Sequence, residues 1–214
     1  SCTKMEDNNI SYLETEYQKC PERAMEDFSI IMSKALYSSP QIRAAVKQAA
    51  LEQFDNDYDI LYARIKEIKI SNGKYFRDCL LEFTSEETLT AIERSLPLLT
   101  MYIPDLTWLD KDAFNIDKWD VDSEKIVVTY RDNGFCKKVF ADGLLVEELE
   151  PGAFPACATI IVKNNERLRY RRGTKSSEIE YSFTYDEFDG AKNNTKYWHP
   201  FDPEVSYQYY TLSS

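Results

Sequence analysis

The chain has 214 residues, a formal net charge of −11 and a single histidine, His199. This length suits one large domain or two small ones, and no apolar run approaches the roughly 20 residues that span a bilayer. The acidic charge argues against a nucleic-acid partner, because phosphate binding needs a basic face. One histidine cannot build a two-histidine zinc site. We therefore expect no metal, no other cofactor and no nucleic acid.

The amino-terminal segment predicts a tether. Residues 1–20 are polar and show no clear apolar period, which is typical of a flexible segment. Cys2 follows the small residue Ser1, and bacterial lipoproteins are cut before a cysteine that then carries the lipid. We therefore expect lipid attachment at Cys2, the membrane as one partner, and export to the outer membrane, the cell surface or the periplasm. The alternative is that Cys2 is an ordinary residue.

Residues 21–97 predict an array of about five helices with short connections. The first begins at Pro21 and carries an apolar stripe spaced by three and four residues. Ser39 and Pro40 are the cap and the first residue of the second helix, which we expect to reach residue 54. The third helix is expected to begin at residues 57–59, the fourth near residue 75, and the fifth after the cap Ser85.

Residues 98–214 predict an antiparallel sheet of about six to seven strands, arranged as a meander. The clearest signals are Asn133-Gly134 and Asp142-Gly143, which are typical of two-residue hairpins. A short buried strand is predicted at residues 98–103, and the strands after the long connection are predicted at residues 126–131, 135–140, 144–149, 158–162, 167–171, 182–185 and 205–212. In a hairpin at residues 164–165, residue 162 would face residue 167 and residue 160 would face residue 169. The predicted fold class is α+β, with the helices and the sheet packed as one compact unit.

Two aromatic regions are candidate binding surfaces. The connection 105–124 is long for a compact domain and carries Trp108 and Trp119 among aspartates. Ten of the thirty residues from 181 to 210 are aromatic. The candidate surface near them comprises Tyr197, Trp198, His199 and Phe201. Aromatic faces bind sugar rings and anchor protein interfaces, so the expected partner is a glycan or a protein. The alternative is that the aromatic rings cover the core and that His199 is structural.

Arg167, Arg169 and Arg171 alternate along one predicted strand, so their side chains share one face of it. Such a row can bind an anion or a partner, and we include it in the candidate binding surface. The alternative is a solvated face whose arginines pair with acids.

The cysteines other than Cys2 predict mostly buried free thiols. Cys20, Cys79, Cys136 and Cys157 allow three disulfide pairings, and their long, irregular spacings are unlike a zinc or thioredoxin-like motif. If a disulfide forms, Cys136 with Cys157 is the expected pair, because both fall on predicted strands.

The acids at positions 55, 57 and 59 resemble the start of a calcium-binding loop. The match fails at Ile60, where that loop has glycine, and at Lys66, where it has glutamate. We therefore interpret these acids as the start of a helix. No acidic cluster in the chain identifies a catalytic residue by its spacing.

Four segments together carry a resemblance to a known group of proteins. They are residues 54–59, 95–100, 117–120 and 154–167. With these segments the chain resembles uncharacterised exported lipoproteins of the Bacteroidetes, over roughly residues 25–170. The resemblance implies a surface or periplasmic location, and it implies neither an activity nor functional residues.

These observations favour a binding or interaction module over an enzyme. One alternative is the amino-terminal portion, or a pro-region, of a longer secreted protein. Another is a carboxylate-based glycan hydrolase, which would need two facing acids in a cleft, at least one of them with a raised pKa.

Overall fold

Helices dominate the amino-terminal part of the chain. The structure is a computed structural model that describes residues 2–172, 179–183, 194–197 and 208–211. Its α-helices are α1 (Cys2–Lys19), α2 (Pro21–Ser38), α3 (Pro40–Leu51), α4 (Tyr62–Ile65), α5 (Phe76–Leu80) and α6 (Glu86–Ser95). Within the described ranges, none of the helices combines the length and the apolar character of a membrane span.

Side-chain caps fix the starts of two helices, as the sequence predicts. The Ser39 hydroxyl accepts a hydrogen bond from the Ile42 N–H at the start of α3. The Ser85 hydroxyl accepts one from the Thr88 N–H at the start of α6. Each bond satisfies a backbone donor that has no partner within the helix. The helix α3 ends at Leu51, three residues earlier than predicted (54 − 51 = 3).

The expectation of a flexible tether at residues 1–20 is wrong for residues 2–19, which form α1. Ile10 and Tyr17 are buried and Leu13 packs against the core, so the helix has an apolar face with helical spacing. α1 packs mainly on α6. The Tyr17 hydroxyl also donates a hydrogen bond to Asp27 on α2, at 2.7 Å. These three apolar residues indicate a helix, although the composition of the segment is mostly polar.

A strand replaces the start of the predicted third helix. Asp59–Leu61 forms β1, and only Tyr62–Ile65 is helical after it. Gln53 and Asn56 adopt positive φ angles of 45° and 67°, which interrupt helical geometry before residue 57. The buried Ile60 then pairs with a neighbouring strand. Tertiary pairing therefore overrides the helical spacing of the isoleucines in this segment.

A six-stranded sheet forms the second layer. Its strands are β1, β2 (Leu99–Tyr102), β3 (Val127–Asp132), β4 (Phe135–Ala141), β5 (Leu144–Glu148) and β6 (Thr159–Asn164), in the spatial order β1-β2-β6-β3-β4-β5. All neighbours are antiparallel except β3 and β6, which are parallel. The α+β class is confirmed, but the sheet is mixed, and only β3, β4 and β5 form a meander.

Both predicted hairpin turns are confirmed. Asn133-Gly134 and Asp142-Gly143 have positive φ angles at both residues, as a two-residue turn of this type requires. The second turn also touches the helical layer. The Gly143 N–H donates a hydrogen bond to the Ser33 hydroxyl on α2, at 2.8 Å. An added Cβ at Gly143 would clash with the side chain of Lys34.

The chain leaves the main sheet after β6. Strands β7 (Leu168–Arg172) and β8 (Ile179–Phe183) pair with each other, as do β9 (Asn194–Tyr197) and β10 (Gln208–Thr211). The predicted pairing of residues 160–162 with 167–169 is wrong, because β6 has β2 on one side and β3 on the other. The Asn165 carboxamide redirects the chain by accepting hydrogen bonds from the N–H groups of Arg167 and Leu168.

The core lies between the helices and one face of the sheet. α2 is its central element, because it contacts β3 and β4 as well as α3, α5 and α6. Phe28, Met32 and Leu36 of α2 are fully buried in it. Two ion pairs hold the rim, from Lys137 of β4 to Glu22 and from its neighbour Lys138 to Glu26.

Candidate functional site

The long connection 105–124 is fixed to the body of the protein by buried side chains. Leu106, Phe114 and Ile116 are all buried in the core. The Leu106 N–H donates a hydrogen bond to the Phe114 carbonyl at 2.8 Å, which closes the first part of the loop. The Lys118 ammonium donates to the carbonyls of Lys111 and Ala113, at 2.7 and 2.8 Å. The loop therefore has a defined shape, as functional loops of this length often do.

Trp119 does not belong to a binding surface, which corrects the prediction made for it. Only 3% of this residue is exposed, and its ring is part of the core. Its backbone carbonyl accepts a hydrogen bond from Lys47 of α3 at 2.8 Å. Trp119 therefore anchors the end of the loop to the helical layer. The sequence around Trp119 does not show whether the ring is buried as an anchor or exposed as a contact residue.

Trp108 lies on the same loop and has the opposite environment. It is 71% exposed, and the next residue, Leu109, is also exposed. The Trp108 ring meets the ring of Phe154 edge to face, with centroids 6.3 Å apart and planes at 86°. Phe154 lies in the connection between β5 and β6 and packs against the core. We call Trp108, Leu109 and Phe154 the Trp108 patch.

A second cluster contains buried charges. Asp59 of β1 and Lys163 of β6 are both buried, and the Lys163 ammonium lies 3.1 Å from Asp59 Oδ1. The same ammonium lies 2.9 Å from Glu166. Asp55 is buried beside them and accepts a hydrogen bond from the Asn165 amide. The cluster ties the edge of the sheet to the turn after β6.

The pKa of Asp59 is raised from 3.8 to about 8. Burial is the main cause, and the neighbouring Asp55 adds to it, while Lys163 opposes the shift. The 3.1 Å approach of Lys163 to Oδ1 is an ion-pair distance without hydrogen-bond alignment, and the aligned bond goes to Oδ2 at 3.3 Å. Because Lys163 is shared with Glu166, it offsets only part of the effect of burial on the pKa of Asp59.

Within the described part of the chain, the cavity beside the buried acid Asp59 is too small for a substrate. The cavity that Asp59 lines has a volume of about 10 Å³, which is the space of about one water molecule. A hydrolase of the predicted kind needs room for a sugar between its two acids. The raised pKa of Asp59 meets one requirement of the hydrolase hypothesis, but the cavity beside it is too small for a sugar. Among the described residues, no group of three or more His, Cys, Asp or Glu side chains is arranged to hold a metal ion.

Arg167 is the one arginine of the predicted row whose side chain is described, and it pairs with acids. Its guanidinium lies 3.0 Å from Asp57 Oδ2 and within 4.0 Å of both Asp55 and Asp59. Arg167 therefore fits the alternative interpretation of the row, in which the arginines pair with acids of the same chain. Arg169 and Arg171 lie on β7, and their side chains are outside the description.

The other predicted site residues fall mostly outside the described part of the chain. Trp198, His199 and Phe201 lie outside it, and of Tyr197 only its place at the end of β9 is described. Cys2 is the first residue of α1, and its side chain is likewise not described.

The predicted disulfide between Cys136 and Cys157 is wrong. Both are free thiols, as are Cys20 and Cys79. Cys136 lies on β4, whereas Cys157 precedes β6, and β3 lies between those two strands. Two strand spacings amount to about 9–10 Å, beyond the roughly 7 Å that a disulfide can bridge. Burial raises the pKa of the Cys136 thiol to about 11, so it is unreactive at neutral pH.

Two features of the surface had no signal in the sequence. Phe154 supports the Trp108 ring from a distant part of the chain. A groove of about 230 Å³ lies between α3 and residues 65–71, with Ala45, Gln48 and Ile68 among its lining. Both depend on which elements meet in space, so local spacing does not predict them.

Comparison of the chain with family models, with curated proteins and with solved structures finds no match in any of the three. The function is therefore argued from the geometry of the chain alone.

Proposed function

We propose that the protein is a carbohydrate-binding module whose contact surface is the Trp108 patch. A single observation carries the proposal. A tryptophan that is 71% exposed projects from a loop held by buried anchors. Exposed apolar surface is disfavoured by about 25 cal/mol per Å², so covering the indole with a ligand is favourable. The flat face of an indole is suited to the apolar face of a sugar ring.

The small size of the patch favours a sugar over a protein partner. A specific protein interface buries about 800 Å² on each side and usually has several aromatic or arginine anchors. The Trp108 patch has two exposed apolar side chains, Trp108 and Leu109, with Phe154 partly buried behind them. One or two sugar rings would cover such an area, whereas a protein would need a larger apolar surface.

Carboxylates close to Trp108 in the chain could supply the hydrogen bonds that sugar recognition requires. Asp105 and Asp110 flank Trp108 in the sequence, and each uses one carboxylate oxygen to accept a hydrogen bond from the backbone of its own turn. The second oxygen of each carboxylate can accept a hydrogen bond from a sugar hydroxyl. The turns hold these groups before the ligand arrives, which lowers the entropic cost of binding.

We further propose that the module is attached to a membrane through a lipid on Cys2 and is displayed at the outer membrane. The support is the cysteine followed by the acidic residues Glu6 and Asp7, which resembles an export signal. In this arrangement α1 is docked on α6, so the folded body would lie close to the bilayer.

A glycan array tests the carbohydrate proposal. We expect the wild-type protein to bind a subset of glycans, and Trp108→Ala to lose that binding by at least roughly tenfold. A tenfold loss corresponds to about 1.4 kcal/mol, which covering roughly 60 Å² of the ring supplies at about 25 cal/mol per Å². Tyr12→Ala is the matched control, because Tyr12 is 66% exposed on α1, away from the loop. Binding that survives Trp108→Ala, or the absence of any glycan ligand, would refute the proposal.

A further inference from the structure

The two edges of the main sheet differ in how they are protected. The edge strand β1 has three residues, and all of them are buried. The other edge strand, β5, has five residues, and all of them are exposed. Natural sheets usually protect an exposed edge with charged side chains such as lysine, with proline, with a β-bulge or with a covering segment, because its free backbone groups can pair with another strand. The pairing of β5 with β4 has one such irregularity, between Leu145 and Glu147. β5 contains neither lysine nor proline.

The exposed edge of β5 is apolar at one end and acidic at the other. Leu144, Leu145 and Val146 are each at least half exposed. Glu147 and Glu148 follow them, and neither forms an ion pair with another described residue. A strand added at this edge would therefore meet a short apolar segment and two carboxylates, of which Glu148 already faces Lys138 of β4.

The backbone of β5 has hydrogen-bonding groups that face away from β4. A two-residue turn closes on a hydrogen-bonded pair, which here is Ala141 with Leu144. The next pair, Phe140 with Leu145, is then a non-hydrogen-bonded pair. The N–H and carbonyl of Leu145 consequently point away from β4, toward the side on which the described residues add no further strand.

We propose that β5 binds an extended peptide segment in which apolar residues are combined with lysine or arginine, and that this segment adds a seventh strand to the sheet (6 + 1 = 7). Strand addition supplies affinity through main-chain hydrogen bonds, and alternate side chains supply specificity. Basic side chains of the segment would pair with Glu147 and Glu148, and its apolar side chains would cover Leu144, Leu145 and Val146.

A second copy of this chain is a poorer occupant of the edge. In an antiparallel pair of β5 strands centred on Val146, Glu147 and Glu148 of one copy would face Leu145 and Leu144 of the other, so neither glutamate would gain a basic partner. The chain also carries a net charge of −11, which opposes self-association. A basic segment would supply partners for the glutamates and would be attracted by the negative charge of the chain.

The test uses a synthetic peptide of about ten residues, which is long enough to form one strand, with a run of valines followed by a run of lysines so that lysines reach both faces of the strand. Amide hydrogen exchange, followed by NMR on the full chain, locates the contact. We expect the peptide to bind and to protect the amide of Leu145 from exchange, while the amides of β1 are unchanged. The same peptide with glutamate in place of lysine should not bind.

Charge reversal provides the matched comparison. Glu147→Lys combined with Glu148→Lys should lower the affinity for the lysine peptide by at least roughly tenfold. Asp7→Lys combined with Glu67→Lys makes the same change in net charge at exposed positions of the helical part, and should leave most of the affinity. Thermal unfolding of both variants checks that the fold is retained.

Several results would overturn the inference. They are the absence of peptide binding, binding without protection at Leu145, and equal affinity of the two charge-reversed variants. A dimer of the free protein that protects the β5 amides, seen by sedimentation and hydrogen exchange, would assign the edge to a second copy instead. Each of these results leaves the Trp108 proposal unaffected, because that proposal depends on a different surface.

Discussion

The substitution Tyr17→Ala tests whether α1 is packed against the rest of the protein. Tyr17 is only 2% exposed, and its ring lies in the core. Its hydroxyl donates a 2.7 Å hydrogen bond to Asp27 of α2. The substitution removes the ring and the bond together. A flexible tether has no such contacts, so the two descriptions of residues 2–19 predict different effects.

The expected loss of stability follows from these contacts. Truncating a buried aromatic side chain to alanine costs about 3–5 kcal/mol, because apolar burial is lost and a cavity is left. Tyr17→Phe keeps the ring and removes only the bond to Asp27, so it should cost about 1 kcal/mol. Tyr12→Ala changes an exposed ring of the same helix and should stay within about 0.5 kcal/mol of the wild type.

Urea unfolding at neutral pH measures these differences through the transition midpoint and its slope. Hydrogen exchange of the α1 amides adds a second readout, because α1 can open locally without global unfolding. We expect the order of destabilisation Tyr17→Ala, Tyr17→Phe, Tyr12→Ala, with loss of protection in α1 for the first. Equal stability and unprotected α1 amides in all four proteins would refute the docked helix.

Three further predictions concern the buried acid, the second hairpin and the lipid. The pKa of Asp59 is near 4 in the unfolded chain and about 8 in the fold. The stability that its proton contributes is therefore fully present below pH 4 and is lost as the pH rises from 4 through 8. Asp59→Asn should therefore flatten the decline of unfolding free energy over that window, and an unchanged slope would count against the raised pKa. Gly143→Ala should cost more stability than Gly134→Ala in thermal unfolding, because both have positive φ but only the former meets Lys34. Adding Lys34→Ala should remove most of the difference, and a persistent difference would contradict the contact. Labelled palmitate should be incorporated into the wild-type precursor and not into Cys2→Ala, in a host with lipoprotein processing, and an unlabelled wild type would refute attachment.

Local signals in the sequence predicted those elements whose geometry is decided by a few neighbouring residues. Asn133-Gly134 and Asp142-Gly143 permit positive φ, so both hairpins were predictable. Ser39 and Ser85 cap helices through bonds to residues three positions away, and both caps were predictable as well.

Elements that depend on distant contacts were not predictable in the same way. β1 is a strand because Ile60 pairs with Met101, forty-one residues later (101 − 60 = 41). The parallel pairing of β3 with β6 depends on the path of the connection 149–158, which has no turn signal that specifies it. α1 had a signal in Ile10, Leu13 and Tyr17, but three apolar residues in a polar segment did not reveal that α6 would cover them.

The candidate site was predictable only in part. The long connection 105–124 was identified by its length and its tryptophans, yet the sequence could not separate the exposed Trp108 from the buried Trp119. That difference depends on which ring reaches the core. The support of Trp108 by Phe154 joins residues forty-six positions apart (154 − 108 = 46), so no local pattern contains it.

The most direct test of the central claim is an affinity measurement by calorimetric titration. The ligand is the strongest-binding oligosaccharide from the glycan array, and the proteins are the wild type, Trp108→Ala and Trp198→Ala. The last variant changes the carboxy-terminal aromatic region that the sequence also suggested as a surface. The Trp108 proposal predicts at least a roughly tenfold loss of affinity for Trp108→Ala and wild-type affinity for Trp198→Ala. Retained affinity in Trp108→Ala with loss in Trp198→Ala would contradict it.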